Sequence, residues 1–277
     1  MAPARPRIAV VGHLEWVLFG RAPRPPATGE IVHLADPFEE PAGGGAVAAI
    51  QIRRGGAEVI FATALADDAE GRATRERMAA EGIDLRVAAR PGRQARAVTI
   101  LDDTGDRTII VSQPNAYPRA DDDLGWADLD GCAAAYATCG EPSAIVEARR
   151  VGTLVCSARQ IDALEESGVV ADVVVGSLSD AGEAVDFRVL GRSTRAIVLT
   201  DGTRGGRWMS LDDSGLWSAQ DLPGEAMDSY GAGDSFAAGL TYALGRGLAL
   251  GDAVEVGARW GAEAVCRRGP YGDQPPA

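Results

Sequence analysis

Residues 228–236 read Asp-Ser-Tyr-Gly-Ala-Gly-Asp-Ser-Phe and stand directly before a predicted helix over residues 237–244. Gly231 and Gly233 flank Ala232. Because these residues are small, several backbone N–H groups at the positive end of the helix are expected to be exposed, and such groups bind anions. Asp234 falls in the first turn beside that anion site. A carboxylate there suits proton abstraction from a hydroxyl group that attacks the anion. The pattern therefore predicts phosphoryl transfer to an alcohol.

A simpler interpretation of the same nine residues is purely structural. Gly231 and Gly233 would then only shape a turn. Asp234 would only favour the start of the helix, since acidic side chains interact well with the helix dipole there. Taken alone, the motif leaves both interpretations open.

Composition narrows the classes of protein that the chain can belong to. Its 277 residues are 46% apolar and 24% charged, which is typical of a globular chain of one large α/β domain or two small ones. The net charge of −13 argues against a nucleic-acid partner and against binding to an anionic membrane. All 27 basic residues other than histidine are arginines, which excludes a Walker A lysine, a Schiff-base lysine and the protein-kinase lysine.

Cysteine spacing and hydropathy indicate the compartment. The four cysteines form no C-x-x-C pair and no zinc-binding spacing, as expected for buried thiols in a reducing cytosol. Residues 1–7 are not followed by the apolar region of a signal sequence, and no run approaches the roughly 20 apolar residues of a membrane helix. We expect a soluble, cytoplasmic protein.

Strand-like and helical segments alternate along most of the chain, which predicts a mostly parallel sheet covered by helices on both faces. The predicted strands of this sheet are residues 7–12, 58–64, 132–138, 151–156, 172–175 and 196–199, followed by a β-like pair at 207–211 and 215–218. The predicted helices are residues 46–54, 68–81, 142–150, 161–167, 180–190, 231–244 and 251–267. Residues 30–35 and a hairpin over 97–112 lack intervening helices, so we expect them to form a small separate sheet.

The motif at residues 228–236 resembles the D-T-x-G-A-G-D-x-F signature of the ribokinase, or PfkB, carbohydrate kinases. Residues 41–85 resemble that family's other signature region, in which a double glycine leads into a helix. The matching residues of this second region are Gly43, Gly44, Gly56, Ala57, Asp67, Asp68, Gly71, Gly82 and Ile83. The order and spacing of these matches extend over nearly the whole chain, and their agreement favours the functional interpretation of Asp234.

Three shorter segments also resemble family motifs. Gly29-Glu30 is similar to the P-G-E that leads into the lid, and residues 106–108 are similar to the lid's G-E-R-T. Thr200, Gly202 and Gly205 fit the nucleotide-binding T-x-G-x-x-G segment. The resemblance implies one domain over residues 1–277, a three-layer α/β/α sandwich with a mostly parallel central sheet. It also implies a small β lid, inserted near residues 13–40 and 96–113, through which such proteins often form homodimers.

The resemblance further implies an ATP-dependent kinase that phosphorylates a hydroxymethyl group of a sugar-like molecule. Asp234 would be the catalytic base, and the amides of Gly231, Ala232 and Gly233 would hold the transferred phosphate. Mg²⁺ would bridge the nucleotide phosphates, and the tail around Gly269 would close over adenine. A requirement for a monovalent cation, which some relatives have, stays open.

The magnesium motif departs from the family pattern. Family members usually carry N-x-x-E after the strand predicted at residues 172–175, whereas this chain has Ser177 and Asp180 at the matching places. Glu183 lies one turn further along and is an alternative carboxylate. Asp180 and Glu183 are therefore the candidate residues for the metal, acting through water. Alternatively, Asp180 only begins the predicted helix.

The sugar-binding residues depart further. Family members often have an aspartate after the first strand, where counting places Val17; Glu15 is the nearest carboxylate and our candidate for the substrate hydroxyls. Val47 occupies the place of a family asparagine, which makes the pocket more apolar and ribose a poor fit. The substrate candidates are Glu15, Gly43, Gly44, Glu141 and Asp228, of which Asp228 could instead fix its loop.

The sequence is compatible with three functions. The first is a kinase for a sugar-like substrate. The second is a nucleoside kinase, favoured by Val17, Val47 and an aromatic residue, Trp16, which could stack on a base or be core. The third is a non-catalytic pseudokinase, suggested by the altered N-x-x-E motif. His13 could equally contact substrate or hydrogen-bond within the protein, and Arg107 could meet phosphate or solvent.

Overall fold

The computed structural model describes residues 5–272. Residues 1–4, which are part of the segment considered as a signal sequence, lie outside that range. The strands are β1 (Arg7–Gly12), β2 (Glu15–Arg21), β3 (Ala35–Ala42), β4 (Glu58–Ala66), β5 (Asp84–Arg90), β6 (Arg96–Leu101), β7 (Arg107–Gln113), β8 (Ala134–Thr138), β9 (Thr153–Ser157), β10 (Ala171–Ser177), β11 (Thr194–Thr200), β12 (Gly206–Ser210) and β13 (Ser214–Trp217). The α-helices are α1 (Gly44–Arg54), α2 (Ala69–Ala80), α3 (Pro142–Ala148), α4 (Ile161–Ser167), α5 (Ala232–Gly245) and α6 (Leu250–Val265).

The central sheet has nine strands in the order β13-β12-β11-β10-β9-β8-β1-β4-β5. Seven of them run parallel, and the β12–β13 hairpin adds an antiparallel edge. In β1, Ile8 and Val10 join the core beneath α1, α5 and α6, while Ala9 and Val11 join the core beneath α3 and α4. Burial on both faces explains the uninterrupted apolar sequence of this strand. The predicted three-layer α/β/α sandwich is confirmed.

A separate four-stranded sheet, the lid, has the order β3-β2-β6-β7. The prediction of a strand at residues 30–35 is wrong, because the strand begins at Ala35 and continues through Pro37 and Pro41. Prolines are tolerated there because β3 lies at the edge of the lid, where some backbone N–H groups need no strand partner. The sequence analysis also missed β2 and β5. Residues 15–42 and 96–113 supply the four lid strands.

The prediction of a helix at residues 180–190 is also wrong. The chain forms two short 3₁₀ turns there, Ala181–Glu183 and Phe187–Val189. Asp180 accepts a hydrogen bond from the N–H of Gly182 at 2.9 Å, and Asp186 accepts one from the N–H of Arg188 at 2.9 Å. Aspartate side chains that capture nearby backbone N–H groups in this way compete with a continuing helix.

Candidate active site

The N-termini of α1 and α5 meet at the edge of the central sheet where the parallel strands have their carboxyl ends. In open α/β sheets this edge is where ligands bind. The two helix starts are joined directly, because the Gly43 N–H donates to the Tyr230 hydroxyl at 3.1 Å. Thr138, at the end of β8, lies beside them. The fold therefore brings two of the glycine segments identified in the sequence to one place.

The loop before α5 is held in a defined shape. Gly231 has φ 74°, which favours glycine, and a side chain there would also lie 3.2 Å from a methyl group of Val47. The buried Asp228 carboxyl accepts from the N–H groups of Tyr230 at 2.8 Å and Gly269 at 2.9 Å. Both Asp228 oxygens are thereby used within the protein. Of the two roles considered for Asp228, this geometry favours fixing the loop.

Two backbone donors at the start of α5 are open. The Ala232 N–H donates to the Ser229 carbonyl at 3.4 Å and the Ser235 N–H to the Gly231 carbonyl at 2.8 Å, whereas the N–H groups of Gly231 and Gly233 have no backbone acceptor among residues 5–272. Gly233 is exposed, and a side chain built on it would meet no atom within 4 Å. Of the three predicted anion-binding residues, Gly233 thus borders free space, Ala232 is half-buried and Gly231 is buried.

Asp234 points toward the start of α1. A Cβ atom on Gly44 would lie 2.7 Å from Asp234 Oδ1 and 3.3 Å from Thr138 Oγ1, so the glycine makes room for the carboxyl group. The side chain is partly exposed, and within residues 5–272 it has no hydrogen-bond partner. Protein surrounds it on its other sides, and this desolvation raises the pKa of Asp234, an effect that His13, Arg107 and Arg159 partly oppose.

Glu15 and His13 lie next to Asp234, and we call these three residues the Glu15 cluster. His13 Nδ1 donates to the Thr138 carbonyl at 3.1 Å, which turns Nε2 toward Glu15 Oε1 at 3.7 Å. Glu15 is 9% exposed, and its buried Oε2 has no hydrogen-bond partner in the part of the chain that the structure describes. Burial raises the pKa of Glu15, and the nearby Asp234 raises it further, while His13 lowers it. An unpartnered buried carboxylate oxygen is suited to accept from a ligand hydroxyl.

Trp16, Val17 and Val47 take positions that the sequence analysis did not resolve. Alternation along β2 puts Trp16 on the face opposite Glu15, and its indole N–H donates to Glu39 at 2.9 Å. Val17 is fully buried in the core. Val47 is also fully buried and lies behind Gly231. Val17 and Val47 therefore have no exposed surface with which to contact a ligand, and Trp16 faces away from Glu15.

A second group of charges, the Arg159 cluster, consists of Arg159, Asp180 and Glu183. Arg159 follows β9, and its guanidinium donates to the Asp180 carboxyl and to Glu183 Oε1, the latter at 3.3 Å. Burial and the nearby Asp234 raise the pKa of Glu183, which Arg159 partly offsets. The two clusters are therefore electrostatically connected through Asp234.

The Arg159 cluster does not fit a protein-held magnesium site. Both candidate acids are already paired with a guanidinium, which repels a cation. No group of three or more metal-binding side chains occurs among residues 5–272. The donor set thus lacks the free oxygen ligands that Mg²⁺ prefers.

Arg107 extends from the lid to the anion-binding loop. Its guanidinium donates to the Ser229 carbonyl at 3.1 Å and to the Ser229 hydroxyl at 3.3 Å. The lid is thereby attached to the segment that carries Asp234.

The predicted nucleotide segment forms a tight turn between β11 and β12. Thr200 Oγ1 donates to the Gly176 carbonyl at 3.3 Å, while Gly202 and Gly205 have φ 54° and 88°. A side chain on Gly205 would clash with the Trp217 carbonyl at 2.0 Å. An open groove adjoins this turn and is lined by Leu178, Asp201, Arg204, Gly206, Arg207, Leu216, Trp217 and Ser218. Thr200, Gly202 and Gly205 shape the groove rather than line it.

Glu141 caps α3. It accepts from the Ser143 hydroxyl at 2.9 Å and the Ser143 N–H at 3.4 Å, and lies 3.7 Å from Arg119. These contacts place Glu141 at the start of α3, and none of them joins it to the Glu15 cluster within residues 5–272. Thr138 and Arg159 were not identified from the sequence, although Thr138 ends one predicted parallel strand and Arg159 follows another, which is a usable signal for site residues.

Comparison with a family model matches residues 5–146 and 171–277 to the pfkB family of carbohydrate kinases. A search of curated protein sequences found no significant match. Within the described part of the chain, no helix is both long and apolar enough to cross a lipid bilayer.

Solved structures show the same fold at low sequence identity. A microbiome-derived acarbose kinase is 22% identical to this chain with a TM-score of 0.75, and the aligned region covers 95% of this chain and 93% of the acarbose kinase. The nucleoside kinase of Methanocaldococcus jannaschii is 16% identical with a TM-score of 0.75, and the aligned region covers 97% of this chain and 94% of that kinase. An Escherichia coli protein described as a ribokinase II, solved with ATP and Mg²⁺, is 19% identical with a TM-score of 0.74. The aligned region covers 97% of this chain and 95% of the E. coli protein. The family match spans most of the chain, which therefore belongs to the pfkB family of carbohydrate kinases.

Proposed function

We propose that the protein transfers the γ-phosphate of ATP to a hydroxymethyl group of a sugar or sugar-like molecule. The observation that carries this proposal is the Asp234 carboxyl, which is partly open and lies beside the N–H groups of Gly231 and Gly233, which have no backbone acceptor within the described residues 5–272. Family membership supports the reaction class, and the neighbour solved with ATP and Mg²⁺ supports the phosphate donor.

In this proposal Asp234 removes the proton from the acceptor hydroxyl as that oxygen attacks the γ-phosphorus. Its pKa is raised by desolvation, which makes the carboxylate a stronger base than an ordinary aspartate. The amides of Gly231, Ala232 and Gly233 donate to the phosphate oxygens as charge develops on them. ATP enters as its magnesium complex, so the metal arrives with the substrate.

The remaining site residues divide between the two substrates. Glu15 accepts hydrogen bonds from acceptor hydroxyls through its unpartnered Oε2, and Gly43 and Gly44 leave the space that these groups need. The turn formed by Thr200, Gly202 and Gly205 shapes the groove for the nucleotide. Asp228 holds the Asp234 loop in place, and Glu141 caps α3.

The test is acceptor-dependent formation of ADP. Purified protein is given ATP and Mg²⁺ with a panel of sugars, amino sugars, oligosaccharides and nucleosides, in buffers with K⁺ and with tetramethylammonium to test the open monovalent-cation requirement. We expect one acceptor class to stimulate ADP release, and Asp234→Asn to abolish the stimulation while ATP binding persists. Stimulation by nucleosides alone would favour a nucleoside kinase, and ligand binding without any turnover would favour a pseudokinase.

The proposal includes a homodimer formed through the lid. The outer lid strand β7 exposes three consecutive apolar residues, Ile109, Ile110 and Val111, at 45%, 49% and 57%. An edge strand of this kind favours pairing with another copy. Light scattering during gel filtration tests this, with a dimer expected for the wild type and a monomer for Ile110→Glu. A monomeric wild type would contradict it.

A further inference from the structure

Arg159 lies at the edge of the sheet that carries Asp234. It sits in the 3₁₀ turn Ala158–Gln160 directly after β9, where its N–H donates to the Ser157 hydroxyl at 3.3 Å. The neighbouring strand β10 ends beside it and leads into the turn with Asp180 and Glu183. Helix α5 packs across β8, β9 and β10 from one side, so its N-terminus opens onto the same edge.

The guanidinium is held on one side and available on the other. Nη2 donates to both Asp180 and Glu183, and within residues 5–272 neither Nη1 nor Nε has an acceptor. The Arg159 side chain is 47% exposed, so the unused N–H groups can reach a ligand. Gly182 leaves room for this arrangement, because a Cβ atom there would lie 2.6 Å from Nη1.

The charge of Arg159 acts where phosphate would be. It lowers the pKa of Asp234, so its field covers the carboxyl group beside the amides of α5. Arg107 is a second permanent cation near Asp234, but its guanidinium is engaged by the Ser229 carbonyl and hydroxyl, whereas two donor groups of Arg159 stay open. A guanidinium presents several N–H groups in one plane, which matches the oxygens of a phosphate group.

We propose that Arg159 binds the terminal phosphates of the nucleotide as a permanent cation, with Asp180 and Glu183 positioning its guanidinium instead of holding Mg²⁺. This inference rests on the proposed kinase function for the identity of the ligand. It assigns the two acids a role different from the one that the family motif implies. It also accounts for their pairing with a residue that would exclude a metal ion from them.

The first experiment compares nucleotides that differ in their phosphates. Isothermal titration calorimetry measures the Kd of ATP, ADP and AMP for the wild type, Arg159→Gln and Arg159→Lys. We expect Arg159→Gln to weaken ATP binding at least tenfold and AMP binding less than threefold. Arg159→Lys keeps the charge but loses the planar donor pair, so its ATP affinity should be intermediate. Equal weakening of ATP and AMP would overturn the proposal.

A triple variant separates direct contact from charge masking. Arg159→Gln alone leaves Asp180 and Glu183 unneutralised, and they could repel phosphate. In Arg159→Gln with Asp180→Asn and Glu183→Gln that repulsion is absent, and we expect ATP binding to stay at least tenfold weaker than in the wild type. Recovery of wild-type affinity would mean that Arg159 only masks the two acids. Melting temperatures report whether each variant is folded.

The last experiment addresses the metal. In the double variant Asp180→Asn with Glu183→Gln, the Mg²⁺ concentration for half-maximal ATP binding should stay within threefold of the wild-type value. A tenfold increase would mean that the acids do hold Mg²⁺. These readouts measure binding, so a wild type that binds ATP without turnover would contradict the proposed kinase function and leave the assignment of Arg159 standing. A wild type that binds no nucleotide would contradict both.

Discussion

The Glu15 cluster and the Arg159 cluster lie along the same edge of the central sheet, and each combines two carboxyl groups with one basic residue. In the Glu15 cluster the basic residue is His13, whose charge depends on pH, and it stands 3.7 Å from Glu15. In the Arg159 cluster the basic residue is a permanent cation that donates to both acids. The acids of the first cluster keep open or unpartnered oxygens, whereas those of the second are engaged.

This difference separates two kinds of chemistry within one site. Carboxyl groups with raised pKa values and unused lone pairs can accept protons or hydrogen bonds, as Asp234 and Glu15 do in the proposed reaction. Carboxyl groups that are paired with a guanidinium are poor acceptors of further protons or hydrogen bonds, but they can orient the guanidinium. In our proposals, two acids provide proton and hydrogen-bond acceptors in the Glu15 cluster, whereas two acids orient a phosphate-binding cation in the Arg159 cluster.

Substitution of one acid from each cluster should give the largest contrast. Asp234→Asn removes the base, and we expect acceptor-dependent kcat to fall on the order of a thousandfold, about 4 kcal/mol in the barrier. Asp180→Asn leaves Arg159 bound to Glu183, so its kcat should fall less than tenfold. Steady-state kinetics with the identified acceptor measures both. Equal losses would abolish the distinction between the clusters.

The stability of Asp234→Asn provides an independent control. The pKa of Asp234 is raised in the folded protein, so the stability it contributes is present below its unfolded pKa and is lost as the pH rises through the folded value. At pH 7 the buried charge is a cost that Asn removes. The melting temperature of the variant should therefore equal or exceed that of the wild type at pH 7, and the difference should shrink toward pH 4.

A methyl group at Gly44 should disturb the Glu15 cluster without removing any functional group. In Gly44→Ala the new Cβ would lie 2.7 Å from Asp234 Oδ1, so the carboxyl must move. Displacement of a catalytic group on this scale costs roughly a hundredfold in kcat. Gly251→Ala, at the start of α6, is the matched control because its nearest atom would be 3.7 Å away. An unchanged kcat in Gly44→Ala would contradict the placement of Asp234.

Glu15→Gln should affect the acceptor but not the nucleotide. Loss of one charged hydrogen-bond acceptor for the substrate hydroxyls is expected to raise the acceptor KM roughly tenfold, about 1.4 kcal/mol. The Kd of ATP should not change. Glu39→Gln is the control, since Glu39 accepts from Trp16 and pairs with Arg96 on the outer part of the lid. A similar KM increase in both variants would indicate a general effect on the lid.

The contrast between the clusters also explains what could be predicted from the sequence. The Asp234 loop depends on signals within nine residues: glycines that permit its backbone shape, small side chains, and the start of a helix. Such signals are local, and α5 begins at Ala232, one residue after the start of the predicted range 231–244 and five before that of the shorter range 237–244. The alternating pattern of strands and helices likewise predicted the layers of the sandwich.

The Arg159 cluster depends on relations between distant residues. Arg159 pairs with acids 21 and 24 positions further along the chain. The pairing requires β9 and β10 to be neighbours and the segment after β10 to form turns instead of the predicted helix. The orientation of Glu15 could not be predicted for a similar reason. It depends on the register of β2, whose partner strands β3 and β6 come later in the chain.

The smallest expected effect concerns the pH dependence of the Glu15 cluster. His13 lowers the pKa of Asp234 through its positive charge, so His13→Gln, which keeps a donor for the Thr138 carbonyl, should raise that pKa. Because Asp234 must be ionised to accept a proton, the acid limb of the kcat/KM profile should move to higher pH. His33→Gln, at an exposed position, should leave the limb in place. A shift to lower pH in His13→Gln would mean that another group controls the limb. Arg159→Gln should move the limb in the same direction as His13→Gln, since a permanent guanidinium acts on Asp234 at every pH.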